Sequence, residues 1–212
     1  MTPRAAPLSP EDRRAAILAA VAPVVLERGP AATTRELARA AGVAEGTIFR
    51  VFESKDELVL EAARSLFADD SHLDELAGID LRLSLEERLV AVVSIWQRVL
   101  RRYLQIFVTF GPSDLRARLG DPRTTVDPRI VAEAEAIVAG LLAPDAALLR
   151  RPLPEVIRVI GSLVMASVHP VEFGAPMTPQ SLVDLVLHGV LENPRPSPHE
   201  IPQTRPRGIP SP

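Results

Sequence analysis

Between Thr33 and Phe52 the sequence leaves the backbone little choice. Thr33, followed three residues later by Glu36, forms a capping box that starts a helix. Leu37 and Ala41 give that helix one apolar face, and Gly42 supplies the left-handed conformation that ends it. Val43 leads at once into another short helix carrying Ile48, Val51 and Phe52. Two helices that cross steeply after so short a turn need a small residue where they touch, here Ala38, and an apolar anchor, here Ile48. The spacing predicts a helix-turn-helix; a tight corner inside an all-α core is the alternative that the same local physics allows.

The rest of the chain agrees with an all-α fold. Hydrophobic residues make up 47% of it but aromatics only 4%, and an apolar set of Ala, Leu and Val suits packed helices better than sheets. Ser9 with Asp12, next to Pro10, predicts a helix start before Arg13 to Arg28, with a kink at Pro23 and a stop at Gly29-Pro30. An amphipathic helix is predicted from Lys55 to Ala68, and a long central one from Leu85 to Phe110 through Leu89, Val92, Val93, Trp96, Leu100, Tyr103 and Phe107. Further helices are predicted over Arg129 to Leu142, Pro154 to Val168 and Pro179 to Leu191, after a turn-rich loop from Asp121 to Pro128. The acidic stretch Asp69, Asp70, His72, Asp74 and Glu75 reads as a hydrated boundary, with metal ligation the weaker alternative. The expected organisation is a flexible arm over residues 1–9, a helix-turn-helix domain over 10–54, a connecting helix and boundary over 55–75, a larger helical domain over 76–193, and a disordered Pro-rich tail over 194–212.

Several functions have nothing to stand on. With no cysteine, disulfides, thiolate zinc sites and cysteine nucleophiles are excluded, and a cytoplasmic location is expected. Met1 to Asp12 has no apolar h-region, and no segment reaches the roughly 18 apolar residues of a membrane span. There is no Gly-rich phosphate loop, no Gly-x-Ser-x-Gly elbow and no His-Glu-x-x-His, so neither an enzyme nor a cofactor is expected. A net charge of −3 argues against coating nucleic acid without specificity, but permits a small local DNA-binding face.

Over about Arg13 to Ala62 the sequence resembles the tetracycline-repressor family. The resemblance is carried by Ala20, Glu27-Arg28-Gly29, Thr33-Thr34-Arg35, Ala41-Gly42-Val43, Gly46-Thr47-Ile48-Phe49, Phe52 and Ser54-Lys55-Asp56-Glu57-Leu58. It implies a ligand-responsive transcriptional regulator, a repressor released from an inverted-repeat operator on double-stranded DNA by a small hydrophobic or amphipathic molecule. The second short helix, about Glu45 to Val51, would then enter the major groove. Thr47 and Lys55 would contact phosphates, Thr34 would approach from the side, Arg35 and Arg50 would meet phosphate or base, and Glu45, Gly46 and Phe49 would face base edges. Two departures stand out: Phe49 replaces the family's usual tyrosine, and Ala44 its usual serine cap. A helical interaction protein of the same fold without operator binding, or an activator, remains open.

The segments Pro154 to Val168 and Pro179 to Leu191 are apolar on nearly all sides, so they need two covers. In the resembled family a second subunit supplies one of them. This makes Ile157, Ile160, Gly161, Val164, Leu182, Leu185 and Val186 candidates for a homodimer interface, against the alternative of a monomeric core. Trp96, Tyr103, Phe107, Phe110, Met165, His169 and Phe173 are the bulky or polarizable candidates to line a ligand cavity. No metal site is expected.

Overall fold

The computed structural model describes residues 9–111, 117–118, 126–168 and 177–189; the expectations for the arm before residue 9, most of the 121–128 loop, His169, Phe173 and the tail fall outside them. Among the described residues every regular element is helical. Helix α1 (Pro10–Arg28) starts where Asp12 N–H donates to the Ser9 hydroxyl at 3.0 Å, at the start that Ser9, Pro10 and Asp12 mark in the sequence. It runs unbroken through Pro23, whose side chain is exposed. A 3-10 turn (Gly29–Ala31) leads to α2 (Thr34–Ala41), closed by Gly42 at φ 67. Then follow α3 (Glu45–Ile48) and α4 (Lys55–Phe67).

The acidic stretch is not a hydrated boundary throughout. Residues Ser71–Ala77 form helix α5, which turns Leu73 and Leu76 into the core and leaves His72 only 6% exposed. Two turns are too few for a 3.6-residue period to stand out of a sequence, and the outward Asp74 and Glu75 mask the inward leucines. Helix α6 (Leu85–Phe110) opens with a capping box made by Ser84 and Glu87. It is followed by α7 (Pro128–Leu142), α8 (Leu153–Val168) and α9 (Pro179–His188), the last ending at Gly189, short of the predicted Leu191.

Two hydrophobic cores result. The first joins Ile17, Val21 and Val25 of α1 to Leu37, Ile48, Phe52 and the inner face of α4, and is sealed by Ile106 and Phe110 from the far end of α6. The second gathers Leu73 and Leu76 around Leu89, Val92 and Val93 of α6, Val138 and Leu142 of α7, Ile160 and Val164 of α8, and Leu182 of α9. Burying each large aliphatic or aromatic side chain contributes about 1.5–3 kcal/mol. Phe52, Ile48 and Leu37, at 1% exposure or less, therefore fix α2 and α3 firmly against α1.

Candidate nucleic-acid interface

The helix-turn-helix is built as its residues require. Thr33 accepts from Glu36 N–H at 3.3 Å, while the Glu36 carboxylate accepts from Thr33 N–H at 2.9 Å, so both halves of the capping box are present. Val43 N–H donates to the Ala38 carbonyl at 3.0 Å, holding the turn against the end of α2. Helix α3 is a single turn, begun by Ala44 with no side-chain cap. Ile48 is fully buried and anchors it, which turns the neighbouring side chains outward.

Arg35, Glu45, Gly46, Phe49 and Arg50 are exposed, and Thr34 and Thr47 are half-buried. Two of these positions have no folding reason for their residue. The Phe49 ring is 51% exposed although a core lies within one helical turn. A Cβ built on Gly46 would meet nothing within 4 Å, yet glycine inside a helix costs about 1 kcal/mol relative to alanine. A bare backbone and an exposed ring side by side suit close approach by a large flat-walled partner. Lys55 is half-buried, and its Nζ donates to the Pro30 carbonyl at 2.8 Å, so in the free protein this ammonium ties α4 to the turn after α1.

Arg14 was not singled out by the sequence, yet it organises the back of this surface. Its guanidinium donates to the Val51 carbonyl and to Glu57, each at 2.6 Å, and to Glu61 at 2.6 and 3.1 Å, while lying 4.3 Å from the centre of the Phe52 ring. That hydrogen bond from Arg14, reinforced by Glu53 N–H, holds the Glu57 carboxyl below the usual carboxylate range. The available signal was the pair Glu57 and Glu61, one helical turn apart, facing an arginine-bearing helix.

The ligand candidates divide. Trp96, Tyr103 and Met165 line a cleft of about 570 Å³ between α6, α7 and α8, together with His72, Ile130, Glu135, Arg158 and Gly161. Phe107 instead packs on Phe67 at a ring-centre distance of 6.1 Å, and Phe110 lies in the first core, because the last turns of α6 face α1 and α4. The interface candidates divide as well. Ile157, Ile160, Val164 and Leu182 are buried within the chain's own core, whereas Gly161, Leu185 and Val186 keep part of their surface. On α8, Val159 and, at the cleft, Met165 are each about half exposed. Among the described residues no group of three or more His, Asp or Glu lies close enough to hold a metal, and no helix is long and apolar enough to cross a membrane.

Residues 17–62 match the family model described as bacterial regulatory proteins, tetR family. The whole fold is similar to that of a transcriptional regulator FadR from Bacillus subtilis in complex with stearoyl-CoA, at 18% identity over 84% of this chain and 99% of that one, with a TM-score of 0.52. It is also similar to a tetR-family transcriptional regulator from Streptomyces coelicolor, at 16% identity over 85% of this chain and 79% of that one, TM-score 0.54. The fatty acid degradation regulator FadR from Bacillus halodurans gives 16%, 89%, 100% and 0.50 for the same quantities. The match to the tetR family of bacterial regulatory proteins thus lies in residues 17–62, the segment that holds the helix-turn-helix.

Proposed function

We propose that this protein is a ligand-responsive, sequence-specific transcriptional regulator that binds an inverted-repeat operator as a homodimer and, acting as a repressor, leaves it when a small molecule occupies the domain formed by residues 76–193. The observation that carries the reading is the outward set on α2 and α3: Arg35, Glu45, Thr47 and Arg50 grouped around an exposed Phe49 and a glycine that folding does not require. A guanidinium can pair with guanine, a carboxylate can accept from cytosine N4, and an aromatic edge can pack on a thymine methyl, so this set can read bases. Thr34, Thr47 and Lys55 supply phosphate contacts, Lys55 with the protons that its bond to Pro30 leaves over.

A two-fold dimer presents two such helices, and they fit successive major grooves only at a spacing of roughly 34–36 Å. Release follows if a ligand between α6, α7 and α8 shifts α6, since the end of α6 rests on the end of α1: the Thr109 hydroxyl donates to the Leu26 carbonyl at 2.9 Å, and Thr109 abuts Gly29. Coupling of this kind is typically about 1–3 kcal/mol and is reciprocal, so a releasing ligand binds more weakly when operator is present. The test is selection of bound sequences from random DNA. A dyad of two half-sites is expected; enrichment without a dyad removes the symmetric dimer, and no enrichment leaves a helical interaction protein without operator binding.

A further inference from the structure

We propose that the cleft between α6, α7 and α8 binds an uncharged, largely apolar small molecule through a single hydrogen-bonding group, with His72 as its polar anchor and Gly161 opposite Trp96 setting the width it accepts. The inference deepens the ligand-domain reading given above and rests on it. His72 comes from α5, lines the cleft, is 6% exposed, and has an Nδ1 with no hydrogen-bond partner. That nitrogen lies beneath the cleft surface, and leaving it unpaired costs free energy that a bound hydroxyl or carbonyl group recovers once the imidazole turns it to the cleft; apolar side chains alone would line the cleft more cheaply. The charges among the described lining residues balance: one carboxylate, Glu135, and one guanidinium, Arg158, both exposed. A polyanionic ligand would find a single cation there and a carboxylate of its own sign, whereas beside a neutral one both exposed groups stay hydrated.

The width follows from Gly161. A Cβ at that position would lie 4.0 Å from Cζ3 of Trp96, in ordinary contact, so the backbone of α8 tolerates a side chain there. A longer side chain would extend over the indole and occupy the space a ligand needs. Gly161 is not in the left-handed region and folding does not demand a glycine; its small size keeps the cleft open.

Trp96 is the only tryptophan of the chain, so its fluorescence reports occupancy directly. The full-length protein, free of DNA, is titrated with decan-1-ol, decanoate and decanoyl-coenzyme A, while binding to a selected operator is followed separately by anisotropy. A saturable change with decan-1-ol is expected, with decanoate and decanoyl-coenzyme A binding no more tightly. His72→Phe should weaken decan-1-ol about tenfold, the equivalent of one hydrogen bond, His72→Gln should recover part of that loss, and Gly161→Leu should abolish the response. If His72→Phe melts, Gly161→Leu carries the test, since it lies outside the packing of α5. Equal affinity in the folded His72→Phe protein and its parent, tighter binding of either anion, or no saturable response with any of the three probes overturns the proposal. Failure of the probes with operator binding intact removes only this assignment. Saturable binding with no operator recognition removes the regulator reading and leaves the site.

Discussion

Substituting Gly29 by alanine tests how the first core is closed. Gly29 has φ 50 and ψ −131, a combination an L side chain adopts only under strain, which costs about 1–3 kcal/mol. The new methyl would stand 2.8 Å from Cγ2 of Thr109 and 3.2 Å from its carbonyl oxygen. Thr109 sits in a helix, where a β-branched side chain has little rotamer freedom, so it yields by moving away and losing its 2.9 Å bond to the Leu26 carbonyl. That bond adds about 1 kcal/mol. The sum is about 2–4 kcal/mol, or a fall in Tm of roughly 5–15 °C at fixed protein concentration. Urea and thermal melts of Gly29→Ala, Thr109→Ala and the pair form a double-mutant cycle. Because the second substitution removes the clashing methyl, the pair should be about 1 kcal/mol more stable than the sum of the single losses. A Gly29→Ala protein within about 0.5 kcal/mol of the parent, or strictly additive losses, would refute the contact as described.

Arg14→Ala should destabilise by about 1–2 kcal/mol, mostly through the Val51 carbonyl and the Phe52 ring, since its ion pairs are a third exposed and screened; a melt that does not move contradicts this. The carboxyl of Glu57 is depressed in the fold, so its contribution is present above its unfolded pKa of about 4.3 and is lost as pH falls through the lowered folded value. The stability gap between parent and Glu57→Gln should therefore narrow on acidification, and largely vanish at all pH values in an Arg14→Ala background. Ala44→Ser supplies the missing cap to α3 and should stabilise by about 0.5–1 kcal/mol; no gain in Tm would mean the first-turn N–H groups are otherwise satisfied. Leu185→Arg, at a half-buried position of α9, should give monomer or aggregate in sedimentation, and a parent protein that is itself monomeric at micromolar concentration defeats the dimer.

What the sequence revealed followed the strength of local rules. The capping box at Thr33, the stop at Gly42 and the unbroken period of Leu85 to Phe110 are local signals, so the helix-turn-helix and the central helix could be read directly. Helix α5 could not, because its two inward leucines and buried His72 acquire meaning only from α6 and α7 packed over them. Phe107 and Phe110 continue the stripe of Trp96 and Tyr103, and nothing local announces that the helix passes from one core to the other along it, with Tyr103 both lining the cleft and packing on Phe67. Apolar residues around α8 likewise do not say which side faces the chain's own core: Ile157 and Val164 turn inward, and Val159 remains about half exposed.

That passage of α6 between two cores bears on how such a protein can be taken apart. The helix has 26 residues, about 39 Å of rod. Leu89 and Val92 near its start are in one core; Ile106 and Phe110 at its end are in the other. A fragment cut at residue 75 would carry every helix of the helix-turn-helix head and still lack Ile106 and Phe110, which belong to its core, and Tyr103 and Phe107, which pack on Phe67. The head is thus not a detachable module in the way its contiguous sequence suggests. A chimera that grafts it onto another helical domain must also carry the final turns of α6, and the splice belongs inside that helix rather than in the loop before it.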